Sequence, residues 1–413
     1  MGAQRTSKVD KAVADVLPEA VGFLADIIRF PSVEGAERAV QELIARSFNE
    51  LGMVVALEPI AESIRSDEEF TSGSAESFDG RCNVVARTHG SGGGRSLILN
   101  THSDVVAASG WDEAFVPTDR EGLLWGRGAV DAKGQIATIY LALLAMRKLG
   151  MRPSGDVEAQ IVIGEEVGGN GTLALLRGGH RADAAVVLEP TSLKLHPANR
   201  GALWFRFTVN GEAAHMARKF EAASAIDYSM ELVNILYRFE KELLECARTD
   251  ELFASYKNPV QVNIGRLTAG EWPAAVAAKA VIEGGVGFLP GMTIADVKKD
   301  LAERVDREGS GWLRANYKLE FPGLHNDAFR TAHEAPVVKC FQASLANAGC
   351  DAGLSGWIAS CDARLMSKIG GMDTVVFGPG DLSLAHSQRE RIDLSEMEQA
   401  AATLVRFIID WCK

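Results

Sequence analysis

The sequence has few cysteines, no long hydrophobic run and no excess of basic residues, and each deficit excludes a class of protein. Six cysteines occur in 413 residues without a Cys-x-x-Cys pair, which excludes a dense disulfide framework. No apolar stretch approaches the roughly 20 residues that span a bilayer. Acidic residues outnumber basic ones by 55 to 43, and the resulting net charge of -12 disfavours nucleic acid as a partner.

The composition is otherwise typical of a globular protein that is long enough to bury two cores, with 47% hydrophobic residues. The first ten residues are polar and lead into a helical pattern rather than into a secretory signal. Together with cysteines that show no pairing pattern, this predicts a soluble, cytoplasmic protein with reduced thiols.

Secondary-structure patterns divide the chain into three parts. Strand-like runs alternate with helical stretches up to about residue 197, which predicts an α/β layer with a mostly parallel central sheet flanked by helices. Between residues 199 and 321 the order becomes strand, helix, two strands, helix and strand, a βαββαβ pattern typical of a compact α+β domain. We therefore predict a discontinuous domain of residues 1–198 and 322–413 that carries residues 199–321 as an insertion.

Two adjacent glutamates, Glu165 and Glu166, follow the strand-like run 157–163 after a single glycine. Because successive side chains on a strand point to opposite faces, such a pair can direct one carboxylate to a metal ion and the other to a water molecule. A lone pair of this kind is more often a solvated acidic turn, so its meaning depends on the rest of the chain.

Other side chains of the metal-binding type also follow strand-like runs. His102 ends one run and is followed by Asp104, which suits an imidazole whose second ring nitrogen is held by a carboxylate or by neighbouring backbone. Glu189 and His386 follow two further runs, and Asp131 lies in a glycine-rich loop ahead of a helix. Taken singly, a core histidine is the alternative for His102, and a helix N-cap is the alternative for Asp131.

Five segments, in this order and spacing, resemble the dinuclear metallohydrolases of the M20 peptidase group, which includes acetylornithine and succinyl-diaminopimelate deacylases, aminoacylases and glutamate-releasing carboxypeptidases. The segments are His-Ser-Asp at 102–104, Gly-Arg-Gly-Ala-Val-Asp-Ala-Lys-Gly at 126–134, Glu-Glu-Val-Gly-Gly at 165–169, Glu-Pro-Thr at 189–191, and Gly-Pro-Gly at 378–380 with Ala-His-Ser at 385–387. The resemblance covers nearly the whole chain. It implies a metal-binding catalytic domain and an inserted lid domain that also forms a homodimer.

The resemblance also implies a role for each of these side chains. The resemblance implies two divalent metal ions that are bridged by the carboxylate of Asp131. The remaining implied ligands are His102 and Glu189 for one ion and Glu166 and His386 for the other. Glu165 would be the general base. Asp104 would fix the tautomer and orientation of the imidazole beside it.

These residue types fit metal-dependent hydrolysis. Imidazole nitrogen and carboxylate oxygen suit Zn(II), Mn(II) or Co(II), and none of the five positions carries a cysteine. Four carboxylates brought together without cations would repel one another and take up protons, whereas two divalent ions cancel that repulsion. Ions about 3.5–4 Å apart can share a water molecule and lower its pKa towards ~7, so that a metal-bridged hydroxide attacks while Glu165 moves the proton.

In the inserted domain the resemblance points to two further residues. His215 corresponds to a histidine that reaches the active site of the partner subunit and stabilises the oxyanion, and Asn263 corresponds to an asparagine that orients the substrate. A turn residue is the alternative for each. The run 216–220 departs from the family's pattern of small hydroxyl residues and proline at this point.

The predicted reaction is hydrolysis of a C–N bond, namely the amide of an N-acyl amino acid or of a dipeptide-like small molecule. The same site can also deaminate an activated aromatic amine, for which Phe220, Trp272 and Trp357 are candidate pocket residues, although core packing is the expected fate of each. A non-catalytic metal-binding scaffold on the same fold is the alternative of another class, and it predicts that a ligand or the base is missing.

The polar stretch 62–79 is predicted to be a mobile surface loop, with a flap over the substrate as the alternative. The sequence leaves open the exact substrate and the native metal. It also leaves open whether His215 acts in the partner subunit.

Overall fold

The structure is a computed structural model that describes residues 7–73 and 75–413. Residues 1–6 of the polar N-terminal stretch, and Ser74 in the polar stretch 62–79, lie outside the described residues. The chain forms two compact units, each with its own hydrophobic core: unit 1 extends to Ala198 and resumes over Thr331–Trp357 and Cys361–Lys413, and unit 2 comprises Asn199–Arg330 and Ile358–Ser360. The predicted domain boundaries at 198 and 321 stay predictions.

The first part of unit 1 alternates helices and strands. Its helices are α1 (Lys8–Ile28), α2 (Arg38–Glu50), α3 (Lys133–Leu149) and α4 (Asn170–Arg177). Its strands are β1 (Val54–Pro59), β2 (Cys82–Thr88), β3 (Leu97–His102), β4 (Thr118–Arg120), β5 (Leu123–Trp125), β6 (Val157–Val162), β7 (Ala184–Val187) and β8 (Leu195–Asn199). Helix α1 begins at a capping box of Ser7 and Asp10, and α3 ends at Gly150, whose left-handed backbone closes the last turn.

Unit 2 is an antiparallel sheet covered by helices. Its elements are β9 (Gly201–Asn210), α5 (Ala225–Ala247), β10 (Val262–Ala269), β11 (Lys279–Phe288), α6 (Ile294–Glu308), α7 (Gly311–Asn316), β12 (Tyr317–Glu320), β13 (His325–Asn326) and β14 (Phe329–Arg330). Strands β10, β11, β9 and β12 pair in that order, and alternate residues of β9 from Leu203 to Val209 are buried. This is the predicted βαββαβ order, with the short helix α7 added before β12.

The returning chain completes unit 1. Its elements are α8 (Pro336–Asn347), β15 (Leu354–Trp357), α9 (Ala363–Lys368), β16 (Asp373–Val376), β17 (Arg391–Asp393) and α10 (Leu394–Trp411). Helix α10 packs against α1 and α3, and β17 pairs with β5. In the part of the chain that the structure describes, no helix is both long and apolar enough to cross a membrane.

The central sheet of unit 1 has the strand order β1-β2-β6-β3-β7-β16-β8. The four middle strands, β6, β3, β7 and β16, are parallel, whereas the outer strands pair antiparallel. Strands β1 and β2 are joined by the 62–79 stretch without a crossover helix, and an antiparallel pair needs none. The α/β fold class is therefore confirmed, and the sheet is mixed, with its parallel pairing confined to the middle.

Helices cover both faces of this sheet. Val84 and Ala86 of β2 belong to the main core with α1, α3 and α10, whereas Val85 packs with Leu175 of α4 on the opposite face. Because both faces are covered, a central strand such as β3 is buried along its whole length.

A buried ion pair holds the start of α2 beside the start of β2. Arg81 contacts the Glu37 carboxylate through Nε at 3.2 Å and through Nη2 at 2.5 Å, and both side chains are buried. Glu37 also accepts the Gly35 N–H. Burial raises the pKa of Glu37, and the Arg81 guanidinium opposes that shift. The charged form of this carboxylate therefore depends on its arginine.

We expect Arg81→Met to destabilise the protein by about 3–5 kcal/mol, because it leaves the Glu37 carboxylate buried without a counter-ion. Arg38→Met is the matched control: the Arg38–Glu42 pair is exposed, and its loss should cost no more than about 1 kcal/mol. Urea unfolding followed by circular dichroism measures both variants. Equal midpoints for the two would contradict the role given to Arg81.

Candidate metal centre

Four neighbouring strands bring their carboxyl ends to one edge of the central sheet. Because β6, β3, β7 and β16 are adjacent and parallel, the residues that follow them meet at that edge. His102 is the last residue of β3, Glu189 follows β7 by two residues, and His386 lies in the loop after β16. After β6, Gly164 turns the chain with a φ of +76°, and the glutamate pair comes next.

Asp131 joins this group from the loop that precedes α3. Its Oδ1 lies 3.1 Å from His102 Nε2, and its Oδ2 lies 3.2 Å from His386 Nε2. The N-cap residue of α3 is Ala132, so the N-cap alternative for Asp131 is wrong. A carboxylate whose two oxygens face two different imidazoles has the arrangement of a bridging ligand.

The side chains form two overlapping groups, and within each group one ligand atom per residue lies within 4.8 Å of the others. The first group is His102, Asp131 and Glu189, and the second is Asp131, Glu166 and His386. In the second group His386 Nε2 lies 3.0 Å from the Glu166 carboxylate. The His386 side chain is 51% exposed whereas that of His102 is 1% exposed, so solvent reaches the centre from the second group.

Asp104 holds two parts of the centre in place. Its backbone carbonyl accepts a hydrogen bond from His102 Nδ1 at 2.9 Å, so that the other ring nitrogen, Nε2, is directed at Asp131. Its carboxylate accepts the N–H groups of Glu165 at 3.4 Å and Glu166 at 3.1 Å. The sequence suggested either a carboxylate or neighbouring backbone as the partner of His102 Nδ1. The backbone carbonyl of Asp104, at 2.9 Å, is closer than its carboxylate, at 3.5 Å.

Burial dominates the electrostatics of the centre. It raises the pKa of Glu165 and Glu189 well above the usual carboxyl range, and neighbouring carboxylates add to the shift. Asp131 is equally buried, but hydrogen bonds from His102 and His386 hold its pKa below the usual range. The hydrogen bonds of His386, first of all that to Asp131, raise its pKa to about 10.

The donor set fits two divalent ions. It consists of imidazole nitrogens and carboxylate oxygens, which suit Zn(II), Mn(II) or Co(II). Two imidazoles cannot offset four carboxylates. Lys133, which follows the aspartate loop, is directed elsewhere: its Nζ donates to the Phe30 carbonyl at 2.6 Å, and burial lowers its pKa to about 7. Divalent cations would stabilise the charged carboxylates that burial otherwise drives towards protonation.

Glu165 belongs to neither group of ligands. One of its carboxylate oxygens lies 4.0 Å from His102 Nε2, and its side chain is 14% exposed. It therefore stands beside both groups with limited access to solvent. That position suits a group that exchanges a proton with a water molecule.

Part of the polar stretch 62–79 is buried against the glycine-rich turn that follows the glutamate pair. Thr71 donates its N–H to the Asn170 side chain and accepts a hydrogen bond from it. Arg364, itself buried, contacts the Glu69 carboxylate at 3.2 Å. The prediction of a mobile surface loop is wrong for this part, because its charge is neutralised by an arginine from a distant segment, for which the sequence has no local signal. The flap over the substrate stays a prediction.

Two of the predicted residues belong to unit 2. His215 is exposed and caps a short 3₁₀ helix, Met216–Glu221, where its Nδ1 accepts the Ala217 N–H at 3.2 Å. Asn263 is exposed on β10 opposite Gly285 of β11, so the turn alternative is wrong for Asn263. The roles of both residues towards a substrate stay predictions.

The three aromatic candidates differ in exposure. Trp357 is buried in unit 1, as expected for core packing, whereas Phe220 is 98% and Trp272 70% exposed in unit 2. Core packing is therefore wrong for Phe220 and Trp272. Phe220 lies in the short 3₁₀ helix Met216–Glu221 and Trp272 in an irregular segment, and both segments are too short for a period that separates buried from exposed positions.

The sequence interpretation did not single out Glu390, which contacts the loop of Asp131. Glu390 stands four residues after His386 and pairs with Arg127, which is 263 positions away in the chain. Arg127 lies inside the glycine-rich segment that carries the resemblance. In the sequence, Glu390 lies near His386 and Arg127 lies near Asp131, which was the available signal. That the two side chains pair with each other is visible only in the folded chain.

Comparison with known proteins points to one family. The profile of Peptidase family M20/M25/M40 matches residues 98–410. The N-formyl-4-amino-5-aminomethyl-2-methylpyrimidine deformylase of Bacillus subtilis is 25% identical over 451 residues, which covers 99% of this chain and 98% of that protein. The acetylornithine deacetylase of Myxococcus xanthus is 29% identical over 346 residues, which covers 80% of this chain and 84% of that protein.

Solved structures share the fold. A tripeptidase of Staphylococcus aureus superposes with a TM-score of 0.76 at 18% identity, covering 96% of this chain and 98% of that one. A dinuclear metal-binding peptidase of the M20 family from Bacillus subtilis superposes with a TM-score of 0.68 at 13% identity, covering 96% and 98%. At these identities the likeness shows the fold alone.

The shared position of Asp131 predicts unequal effects of ligand substitutions on metal content. We expect the wild-type chain to bind two divalent ions, Glu189→Gln and His386→Ala to bind one each, and Asp131→Ala to bind none, because only Asp131 belongs to both groups. Equilibrium dialysis against Mn(II) followed by metal analysis measures the content.

The matched control for these variants is His180→Gln, which changes a buried histidine that pairs with carboxylates outside the centre. This control should keep both ions. Two ions retained by Asp131→Ala would rule out the aspartate as a shared ligand.

Proposed function

Because this chain belongs to peptidase family M20/M25/M40, we propose that it is a dinuclear metal-dependent hydrolase that cleaves the amide bond of an N-acyl amino acid or of a dipeptide-like small molecule. The family match spans residues 98–410 and confirms the resemblance found in the sequence. The chain is accordingly an amidohydrolase of this family. A non-catalytic scaffold would lack a ligand or the base, and the chain carries all five ligand residues and Glu165.

The observation that carries the proposal is the different surroundings of the two adjacent glutamates. Glu166 lies 3.0 Å from His386 within a ligand group, whereas Glu165 lies outside both groups and 4.0 Å from His102. One carboxylate is therefore suited to a cation and the other to a proton. Without cations, burial raises the pKa of Glu165 above the usual carboxyl range.

In the proposed mechanism the chain's own residues bind the ions and move the proton. The proposed ligands are the five side chains of the two groups: His102, Asp131, Glu166, Glu189 and His386. These residues would hold two divalent ions, Zn(II), Mn(II) or Co(II), which would supply Lewis acidity to polarise a carbonyl and to acidify water. Glu165 takes the proton from the attacking water and delivers it to the departing nitrogen, while Asp104 holds the Glu165 backbone through its N–H.

We assign His215 to the oxyanion that forms at the substrate carbonyl. Its Nδ1 accepts the Ala217 N–H, so in the neutral ring the proton is on Nε2. An exposed N–H of this kind is a donor that an oxyanion requires. Asn263, also exposed in unit 2, is the proposed residue that orients the substrate.

The relatives support a substrate with a short acyl group. Two of them are named a deformylase and an acetylornithine deacetylase. We therefore propose that the scissile bond joins a small acyl group to the nitrogen of an amino compound. Hydrolytic deamination of an activated aryl amine would use the same groups, and its product distinguishes it, because deamination releases ammonia whereas deacylation releases a carboxylate.

We expect Glu165→Gln to keep both metal ions and the fold but to lower turnover by about 10²- to 10⁴-fold, because the general base is removed while the ligand groups remain. The measurement is product release over a panel of N-formyl and N-acetyl amino compounds, dipeptides and activated aryl amines, with Mn(II) or Zn(II) added. Turnover near the wild-type rate would show that Glu165 is not the base.

Glu158→Gln is the matched control for this variant. Glu158 is a largely buried carboxylate on β6, upstream of the glutamate pair, and it pairs with His180 and Arg87. Its substitution should leave turnover per folded molecule unchanged. An equal loss in both variants would mean that damage to β6, rather than loss of the base, lowers the rate.

We further propose a cytoplasmic homodimer that forms through unit 2. Strand β10 is an edge strand that pairs with β11, and such an edge can hydrogen-bond to the same strand of a second copy. Helix α5, which packs on β10, exposes Ile226, Met230 and Tyr237 along one stripe, and β10 exposes Leu267. The six free cysteines accord with a reducing compartment.

The double variant Met230→Glu and Leu267→Glu should convert the dimer to a monomer, because it puts like charges on both sides of a self-complementary contact. Light scattering measures the molar mass, which should fall from twice the chain mass to the chain mass. Val116→Glu, at an exposed apolar position of unit 1, is the control and should stay dimeric. A monomeric wild type at assay concentration would exclude the dimer and any action of His215 in a partner subunit.

A further inference from the structure

A buried carboxylate outside the ligand groups contacts the loop that carries the bridging aspartate. Glu390 is fully buried, and its Oε1 accepts the backbone N–H groups of Gly128 at 2.8 Å, Val130 at 3.3 Å and Asp131 at 3.2 Å. Three donors from one loop thus converge on one oxygen. Each of them would otherwise be a buried N–H without a partner, which is costly.

The second oxygen of the same carboxylate pairs with Arg127. This guanidinium is also buried, and besides Glu390 Oε2 it donates to the carbonyl of Ser387 at 3.5 Å and to that of Ala107 at 3.3 Å. Ser387 directly follows His386. The Arg127–Glu390 pair therefore contacts the backbone next to His386 and also the backbone of the Asp131 loop.

The segment that carries His386 needs to be held. His386 has a φ of +58°, a left-handed conformation that is unfavourable for a residue other than glycine and that persists only where the surroundings impose it. The backbone of the two segments is also joined directly, since the Gly126 N–H donates to the Glu390 carbonyl at 3.2 Å. Both candidate ligands are thus presented by irregular backbone rather than by a helix or a strand.

We propose that Glu390 and Arg127 are positioning residues for metal binding: they hold the Asp131 loop against the His386 loop, so that the ligand atoms of the second group are in place before an ion binds. This inference rests on the proposed function, in which these side chains are ligands. A carboxylate added beside four others increases the local negative charge, so the value of Glu390 lies in the hydrogen bonds it accepts.

Glu390→Gln tests the proposal with little change of shape. The amide keeps one oxygen, but its NH₂ group then faces either the backbone N–H donors or the guanidinium, both of which need an acceptor. We expect the affinity for at least one of the two ions to fall by about 10- to 100-fold, the range found when partners of metal ligands are changed. Titration with Co(II), followed by its visible absorption, measures the affinity without a substrate.

Two further variants separate positioning from loss of stability. Glu37→Gln removes another buried carboxylate that pairs with an arginine in unit 1, and it should leave Co(II) affinity unchanged. Arg127→Lys keeps the charge beside Glu390 but cannot reach all three acceptors of the guanidinium, and it should weaken Co(II) binding even if Glu390→Gln does not fold. At saturating metal the turnover of the folded variants should return towards the wild-type value.

The outcomes distinguish this inference from the proposed function. A wild-type chain that fails to bind two ions would contradict the proposed function itself. If the wild type binds two ions and Arg127→Lys or folded Glu390→Gln binds them with unchanged affinity, the positioning role is wrong. An equal loss of affinity in Glu37→Gln would likewise overturn it, because the effect would then follow from stability alone.

Discussion

Four carboxylates lie together at one buried edge of a sheet, and the arrangement of the centre follows from the repulsion between them. Asp131, Glu166 and Glu189 fall within two groups of potential ligands, and Glu165 stands beside both. Burial raises the pKa of Glu165 and of Glu189 and so favours their protonated forms. Cations between the carboxylates remove that cost. With such cations bound, Asp131, Glu166 and Glu189 would serve as ligands, and Glu165 beside them would be left to transfer a proton.

This constraint also explains the polar groups around the centre. Asp104 and Glu390 are carboxylates as well, yet both accept backbone N–H groups of the segments that carry the candidate ligands. The strand ends fix His102 directly, whereas Asp131 and His386 come from irregular loops. Loops of this kind need side chains from elsewhere in the chain to hold them. The buried Arg127–Glu390 pair connects the two loops next to the point where β5 and β17 pair.

The sequence was sufficient for the parts of the fold that depend on local periodicity and for the ligand positions that follow strands. The strand-like run that His102 was predicted to end is β3, and it ends at His102 in the structure. The antiparallel flanks of the sheet were not predictable, because pairing direction depends on which distant strands meet. For the same reason the sequence missed the Glu390 contact and the burial of Glu69. The exposure of Phe220 and Trp272 was missed because each lies in a segment too short to show a helical or strand period.

Anomalous diffraction from crystals of the Zn(II)- or Mn(II)-loaded protein tests the central claim most directly, since it locates the ions without reference to activity. The account predicts two peaks about 3.5–4 Å apart, with one oxygen of Asp131 beside each. His102 and Glu189 should contact one ion, and Glu166 and His386 the other. A single peak, or two peaks that Asp131 does not join, would contradict the account.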